Sequence, residues 1–204
     1  MKIININRDA TGTVTFDEVS IDTTENVCFA NLDPQEAHWP DIASNQVGPY
    51  KSANSSECVI QAPSPLPGKF SYQCKLHAGE SGVINVFAQL AVGKDAQVNK
   101  VAGQMANATQ GAPIPVSQVV QGGKPPYTIN RQLFQVTDGS GNVIQSGSGV
   151  GPGLQLNNNA TTPDDTTGIT VSGTPSLSGT YTFALDVDDS MGRNLQQQYT
   201  MVVA

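Results

Sequence analysis

The chain has 204 residues and a formal net charge of −7, from 17 Asp and Glu against 10 Lys and Arg. An acidic balance argues against a nucleic-acid partner, which would require a basic surface, and no apolar run approaches the roughly 20 residues of a membrane-spanning helix. The length exceeds that of one small β-sandwich and is sufficient for two domains. The acidic excess favours a role in solubility, and steering of a cationic partner is the alternative.

The predicted elements are short strands along the whole chain. Helix-favouring patterns are few, and clusters of Gly, Pro and Asn separate the apolar runs, which predicts an all-β fold. Several strand-like segments fall within about ninety residues of the N-terminus, as in a Greek-key sandwich. These segments are 2–7, 13–16, 19–22, 27–31, 58–61, 69–74 and 83–87.

The two histidines of the chain both lie beside predicted strands. His38 follows the segment 27–31, and His77 comes three residues after Cys74, in a loop between two later strands. A tight strand–loop–strand can aim a thiolate and an imidazole at one point, and copper selects this pair of ligands. One early His followed by Cys-x-x-His is the ligand order of a trigonal His₂Cys copper site.

Residues 1–88 resemble a cupredoxin, a blue-copper domain, of the bacterial plastocyanin and amicyanin-like group. The family pattern has Asn, Asp and His after an early strand, then Tyr-x-Cys-x-x-His, then Gly-x-Val-x-Val. The resemblance implies a Greek-key sandwich with one mononuclear copper ion, whose equatorial ligands are His38, Cys74 and His77. The matching positions are Asn31, Asp33, His38, Tyr72, Cys74, His77, Gly82, Ile84 and Val86.

Glu80 departs from this pattern, because short-loop members carry the weak axial methionine at that position. A carboxylate is a hard anionic donor and favours Cu(II) over Cu(I) more than a thioether does. Coordination by Glu80 would lower the reduction potential and give a green or red site in place of a blue one. A Glu80 turned towards solvent would leave copper three-coordinate or open to water and small ligands.

Three further residues have supporting roles in this interpretation. Asn31 matches the loop asparagine of the family, whose hydrogen bonds are expected to tie the His38 loop to the Cys74 strand. Trp39 is interpreted as a hydrophobic lid beside His38, and Tyr72 as a core or outer-shell residue.

Two cysteines are left once Cys74 is assigned to the metal, since the chain has three. Cys28 and Cys58 could form a disulfide in an oxidising compartment. The alternative is two separate thiols that behave as small apolar residues.

The second half of the chain begins with residues 89–110, which have no strong period and are predicted as a linker; the same stretch could begin the next domain. Residues 111–204 resemble a bacterial Ig-like, cadherin-like domain, on the basis of 121–129, 168–175 and 179–192. In the last of these, apolar residues alternate inward, as in a half-buried strand. Modules of this type serve as spacers, docking surfaces, or binders of proteins or carbohydrates.

The resemblance implies an electron carrier. The sequence shows no nucleophile–base pair, phosphate loop or carboxylate dyad of any specificity, so an enzyme is not the expected function. The expected partner is a redox protein such as a cytochrome or a copper enzyme. His77 is the predicted exit of the electron, with Leu76, Ala78 and Pro40 as an apolar docking rim.

The expected location is periplasmic or extracellular, which is inferred from the resemblance because no signal-peptide pattern follows Met1. Two other functions stay open. One is a copper-binding protein with a red or green open site, used for copper handling or small-ligand reactivity. The other is a metal-free extracellular binding module.

Overall fold

The computed structural model describes residues 1–42, 60–61, 66–158, 160 and 166–204. It divides the chain into two compact units, Met1–Ala88 and Gln89–Ala204. Nearly all regular structure is β, which confirms the predicted fold class. The described part of the chain contains no helix with the length and apolar character of a membrane span.

In the described residues, the strands of the first unit form two four-stranded sheets, with the orders β2-β1-β4-β6 and β3-β8-β7-β5. Strand β1 runs parallel to β4, β3 runs parallel to β8, and β7 and β8 form an antiparallel hairpin. The strands are β1 (Lys2–Arg8), β2 (Val14–Phe16), β3 (Val19–Asp22), β4 (Val27–Asn31), β5 (Pro40–Ile42), β6 (Ile60–Gln61), β7 (Gly68–Cys74) and β8 (Ser81–Phe87).

The core of the first unit contains apolar side chains from both of its sheets. In β7, Tyr72 and Cys74 are buried whereas Ser71 and Gln73 are exposed, so the strand shows the expected two-residue alternation. The Tyr72 ring lies edge-on to Phe29 of the other sheet, with ring centroids 5.1 Å apart. The buried members of this core are Ile4, Ile21, Val27, Phe29, Tyr72, Ile84 and Val86.

The described residues of the second unit also form two four-stranded sheets, with the orders β13-β14-β10-β9 and β12-β11-β15-β16. Two short 3₁₀ helices, Lys94–Ala96 and Val98–Lys100, follow its first strand. The strands are β9 (Ala91–Val92), β10 (Ile114–Gln121), β11 (Thr128–Thr137), β12 (Val143–Ser148), β13 (Leu154–Asn158), β14 (Ile169–Gly173), β15 (Gly179–Asp188) and β16 (Asn194–Val203).

The core of the second unit confirms the alternation expected for its long strand β15. Tyr181, Phe183, Leu185 and Val187 are all buried, and the residues between them are only partly so. The Phe183 ring stacks on Tyr199 of the neighbouring strand β16 with a centroid separation of 5.0 Å.

Residues 89–110, for which a linker was predicted, are built into the second unit. Val92 pairs with Val120 of β10, and Ala96 and Met105 are buried in the core of this unit. Gly93 approaches the β10 backbone so closely that a Cβ would overlap the carbonyl of Gln118. The second unit therefore begins at Gln89, because this segment contributes a sheet edge and core side chains.

Candidate metal centre

The hairpin between β7 and β8 places Cys74 and Glu80 side by side. Gln73 pairs with Ser81 across the hairpin, and the Cys74 amide donates a hydrogen bond to the Glu80 carbonyl at 2.9 Å. The residues between them form a closed loop, in which Gly79 has a φ of 91°. This left-handed conformation favours glycine.

A short strand that the sequence did not indicate brings His38 to the same place. Strand β5 pairs with β7, with Pro40 opposite Cys74. The Trp39 amide donates to Cys74 Sγ at 3.4 Å, and the Lys75 amide donates to the Trp39 carbonyl at 2.8 Å. These main-chain contacts fix the His38 loop against the Cys74 strand, and the His38 side chain is fully buried.

Three potential ligand atoms converge at this point. His38 Nδ1 and His77 Nδ1 are 3.3 Å apart. Cys74 Sγ lies 3.6 Å from His77 Nδ1 and 3.9 Å from His38 Nδ1. A point equidistant from three atoms with these separations lies about 2.1 Å from each, close to the usual metal–nitrogen and metal–sulfur bond lengths of about 2.0–2.3 Å. The two imidazoles and the thiol are thus spaced as ligands around one ion.

Glu80 turns its carboxylate into this cluster. Its Oε2 lies 2.9 Å from His38 Nδ1 and 3.3 Å from His77 Nδ1, and the side chain is only 17% exposed. One donor atom from each of His38, Cys74, His77 and Glu80 lies within 4.8 Å of all the others. The structure therefore brings together all four predicted ligand residues, and the carboxylate offers a fourth donor atom.

The outer face of His38 contacts a buried carboxylate. His38 Nε2 lies 2.8 Å from Asp33 Oδ2, and both side chains are fully buried. Arg8 approaches Asp33 with its Nε and Nη2 atoms at 2.8–3.1 Å. Hydrogen bonding from Arg8 holds the pKa of Asp33 well below its usual range, against the opposing effect of burial, and the His38 contact adds to this lowering.

Sequence reasoning assigned no role to Arg8 or to Glu36. The Asp33 position was part of the family pattern, so it was indicated as important, but its partners were not. Arg8 lies 25 residues away from Asp33 along the chain, and only the parallel pairing of β1 with β4 brings the two together. No local sequence signal reports such a contact.

The predicted supporting residues occupy different positions around the cluster. The Asn31 side chain donates to the Glu36 carbonyl at 2.8 Å and accepts from the Asp33 amide at 3.0 Å. These bonds brace the His38 loop internally, and the predicted tie from Asn31 to the Cys74 strand stays a prediction. The ring of Trp39 is half-buried, with Lys75 Nζ 5.2 Å from its centroid.

Tyr72 belongs to the core and reaches His38 through another ring. Phe16 lies edge-on to both Tyr72 and His38, with centroid separations of 5.5 and 6.1 Å. Burial raises the pKa of Tyr72 above its ordinary value. Phe16, which sequence reasoning did not select, is thus an aromatic neighbour of the predicted ligand His38.

The residues of the predicted docking rim differ in their exposure. His77 is 31% exposed, and Leu76 and Ala78 are exposed beside it in the chain. Pro40 is buried, because it belongs to β5 and pairs opposite Cys74. Pro40 is therefore part of the wall behind the cluster and does not contribute to an exposed rim.

The cysteines differ in state. Cys74 is a buried free thiol, whereas Cys28 is buried and disulfide-bonded. Cys58 lies outside the described residues, so its pairing with Cys28 stays a prediction.

Comparisons with known proteins give only distant likenesses. No family model matches the chain, and no curated protein matches it. The reduced state of an amicyanin mutant is similar over 41% of this chain and 79% of its own, at 15% identity and a TM-score of 0.32.

Two further solved structures are similar over 98% of this chain. The eight N-terminal Ig domains of Down Syndrome Cell Adhesion Molecule are 13% identical, with 25% of that chain covered and a TM-score of 0.30. The SGBP-B protein of the Bacteroides ovatus mixed-linkage glucan utilization locus, in complex with a heptasaccharide, is 11% identical, with 68% covered and a TM-score of 0.21. None of these likenesses assigns the chain to a family.

Proposed function

We propose that the first unit binds one copper ion through His38, Cys74, His77 and Glu80 and carries single electrons. The observation that supports this proposal is the spacing of the two imidazole Nδ1 atoms and the thiol, which leaves a central point about one metal–ligand bond length from each. Thiolate with imidazole is a donor set that suits copper and also zinc, so the metal itself is decided by the experiment below.

The chain holds these donors in place from several directions. Copper, when bound, supplies a one-electron couple between Cu(II) and Cu(I). His38 is held by Asp33 from behind, and Cys74 receives a hydrogen bond from the Trp39 amide. Cys74 and Glu80 are joined by a main-chain hydrogen bond across the hairpin. A site held in this way changes little when its charge changes, which favours rapid electron transfer.

The carboxylate of Glu80, which points into the cluster, is expected to set the reduction potential and the colour of the proposed site. Thiolate and carboxylate together present two negative charges to the metal, which favours Cu(II) and lowers the reduction potential. We therefore expect a green or red site whose thiolate charge-transfer band is displaced from that of a blue one. An open site for copper handling or small ligands would require Glu80 to leave both imidazoles.

The exposed edge of His77 is the proposed route for the electron. Its side chain is the more exposed of the two imidazoles, and Leu76 and Ala78 beside it offer apolar surface for a redox partner protein. A periplasmic or extracellular location, and a docking role for the second unit towards a protein or carbohydrate, are parts of the same proposal.

The test is a Cu(II) titration of the full chain followed by visible absorption and electron spin resonance. Wild-type protein should bind one copper per chain, show a displaced thiolate band and lose it reversibly on reduction. Glu80→Met should shift the band towards the blue-copper energy. Glu18→Met is a matched control, because Glu18 is an exposed carboxylate whose described partner is Asn85.

Each outcome separates the alternatives. Equally blue wild type and Glu80→Met would make Glu80 a bystander and leave an ordinary electron carrier. A bound copper that cannot be cycled between its two states would favour copper handling. If the wild type takes up zinc and not copper, or no metal, the electron-transfer proposal fails.

A further inference from the structure

The two imidazoles of the cluster each turn a second nitrogen towards a carboxylate. His38 Nε2 lies 2.8 Å from Asp33, and His77 Nε2 lies 3.7 Å from Glu36. The Nδ1 atoms of both rings face the cluster, so each ring stands between the candidate metal position and one acidic side chain.

One guanidinium group binds both of these carboxylates. Arg8 Nη2 lies 2.8 Å from Asp33 Oδ2 and 2.6 Å from Glu36 Oε2. Its Nε makes two further contacts with Asp33, at 3.0 and 3.1 Å. The planar fork of arginine suits such a bridge, because its donors lie at fixed angles.

Arg8 is itself held in place by its own strand. It is the last residue of β1 and pairs with Val14 of β2. Its Nη1 donates to the Gly12 carbonyl at 2.9 Å, inside the turn that joins the two strands. The side chain is only 13% exposed, so the guanidinium has little freedom to leave the two carboxylates.

We propose that Arg8 is a positioning residue that orients both imidazoles, through Asp33 for His38 and through Glu36 for His77. This inference rests on the proposed function. A carboxylate that accepts a hydrogen bond from Nε2–H leaves Nδ1 as the lone-pair nitrogen, the form in which imidazole binds a metal. Arg8 fixes where Asp33 stands and thereby selects this tautomer and the ring orientation of His38. Glu36 lies 3.7 Å from His77 Nε2, beyond hydrogen-bond distance, so it acts on that ring through its charge.

The contact of His38 with Asp33 is stronger than that of His77 with Glu36. His38 and Asp33 are fully buried and in short contact, whereas Glu36 is 48% exposed and lies farther from His77. Loss of Arg8 should therefore affect His38 more than His77. Loss of Glu36 alone should affect only His77.

The first measurement is copper affinity, obtained by competition with a chelator, together with the spin-resonance spectrum. Arg8→Gln should weaken Cu(II) binding about 10- to 100-fold, the usual effect of losing an outer-shell partner of a metal site, and should change the copper hyperfine splitting. Arg8→Lys should recover part of the affinity, since lysine keeps the charge but lacks the fork. Arg193→Gln, which removes a longer arginine contact of 3.5 Å with buried Asp189 in the second unit, should change neither.

The second measurement uses the metal-free protein, in which long-range ¹H–¹⁵N NMR reports the tautomer of each imidazole. The chain has two histidines, so their signals can be assigned with single substitutions. Glu80 Oε2 lies 2.9 Å from His38 Nδ1 and competes for the proton there, so the comparison is made in the Glu80→Met background. His38 should show the Nε2–H tautomer in that background, and adding Arg8→Gln should give a mixture. Glu36→Gln should move only the His77 signals; its side chain is exposed, so this variant is expected to fold even if Arg8→Gln does not.

These results separate the inference from the proposed function. A wild type that binds no copper would contradict the proposed function, and the metal-free NMR comparison would still decide the role of Arg8. Unchanged affinity, spectrum and tautomers in the Arg8 variants of a copper-binding protein would overturn the inference and leave the function standing. Should Arg8→Gln fail to fold, unchanged His38 signals in Arg8→Lys together with unchanged His77 signals in Glu36→Gln would overturn it.

Discussion

The two units of the chain differ in the partners of their buried polar groups. In the second unit, buried Asp189 accepts hydrogen bonds mainly from backbone amides, two of them at the turn between β15 and β16, and has one longer side-chain contact of 3.5 Å with Arg193. In the first unit, the buried Asp33 and His38 bind other side chains, which converge on one point. The amide donors to Asp189 are those of Lys124, Met191 and Arg193.

This difference separates buried polar groups whose partners serve stability from those whose partners are costly to bury. Burying a polar group costs free energy unless it is hydrogen-bonded, and a backbone amide is the partner that a fold supplies most readily. A second ionisable side chain costs more free energy as a partner, because both groups must then be desolvated. The ionisable side chains gathered in the first unit therefore support the proposed metal site, and four experiments can sharpen or break this contrast.

The largest effect is expected in the apolar core of the second unit. Phe183→Ala removes a buried ring that stacks on Tyr199, and such truncations cost about 3–5 kcal/mol. Urea unfolding followed by hydrogen exchange should show this loss in residues 89–204. The copper affinity of the first unit should stay unchanged, and a large change in it would mean that the units do not act separately.

A smaller effect is expected from crowding the first unit behind the candidate site. In Gly82→Ala the added methyl group would overlap the Tyr72 hydroxyl, and overpacking of this kind costs about 1–3 kcal/mol. Trp39, the single tryptophan of the chain, reports this unfolding by fluorescence. Gly68→Ala in the same unit is the control, since its Cβ would make only ordinary contacts with the Phe70 ring at 3.5 Å. Equal stability of the two variants would show that the Tyr72 ring can move aside.

The turn that depends on Asp189 should also weaken when its acceptor is removed. Asp189→Ala leaves backbone amides of the turn without their carboxylate, and unsatisfied buried donors cost about 1–3 kcal/mol. The loss should be confined to the second unit and measured by hydrogen exchange across β15 and β16. A change in the copper spectrum of this variant would contradict a purely structural role.

The smallest effect is a difference in acid sensitivity. The pKa of Asp33 is lowered in the folded protein, so the unfolded chain binds the proton more readily, and the stabilisation is lost as pH falls below about 4. In Asp33→Asn this part of the pH dependence should disappear. Fluorescence of Trp39 during urea unfolding at several pH values measures it, and an unchanged slope in the variant would show that Asp33 does not contribute.

Much of the fold followed from local patterns. The alternation in β7 and β15 and the turn residues between strands were sufficient to predict two all-β regions. Strand β5 was not predicted, since a strand of three residues that begins with Pro40 has no alternation to detect. The segment 89–110 was also difficult, because single buried residues such as Ala96 and Met105 leave no periodic signal.

For the candidate site, residue types and spacing indicated His38, Cys74 and His77, the resemblance to cupredoxins indicated Glu80, and three-dimensional contacts decided the rest. The position of Glu80 depends on its main-chain hydrogen bond with Cys74 at the base of the hairpin, and its carboxylate meets two imidazoles that come from different parts of the chain. The bridge from Arg8 to Asp33 and Glu36 depends on the parallel pairing of β1 and β4. Contacts of this kind arise from topology, which a single sequence does not encode in its local pattern.

The main-chain hydrogen bond between Cys74 and Glu80 closes the loop of residues 75–79, so this loop can be replaced as a unit. Because both residues belong to the base of the hairpin, replacing the loop with one of another length would leave the thiol and the carboxylate in register. Only the position of the His77 imidazole relative to the other donors would change. A family of loop lengths grafted onto this base would therefore vary one donor at a time, and the protein could serve as a scaffold for tuning metal choice and colour.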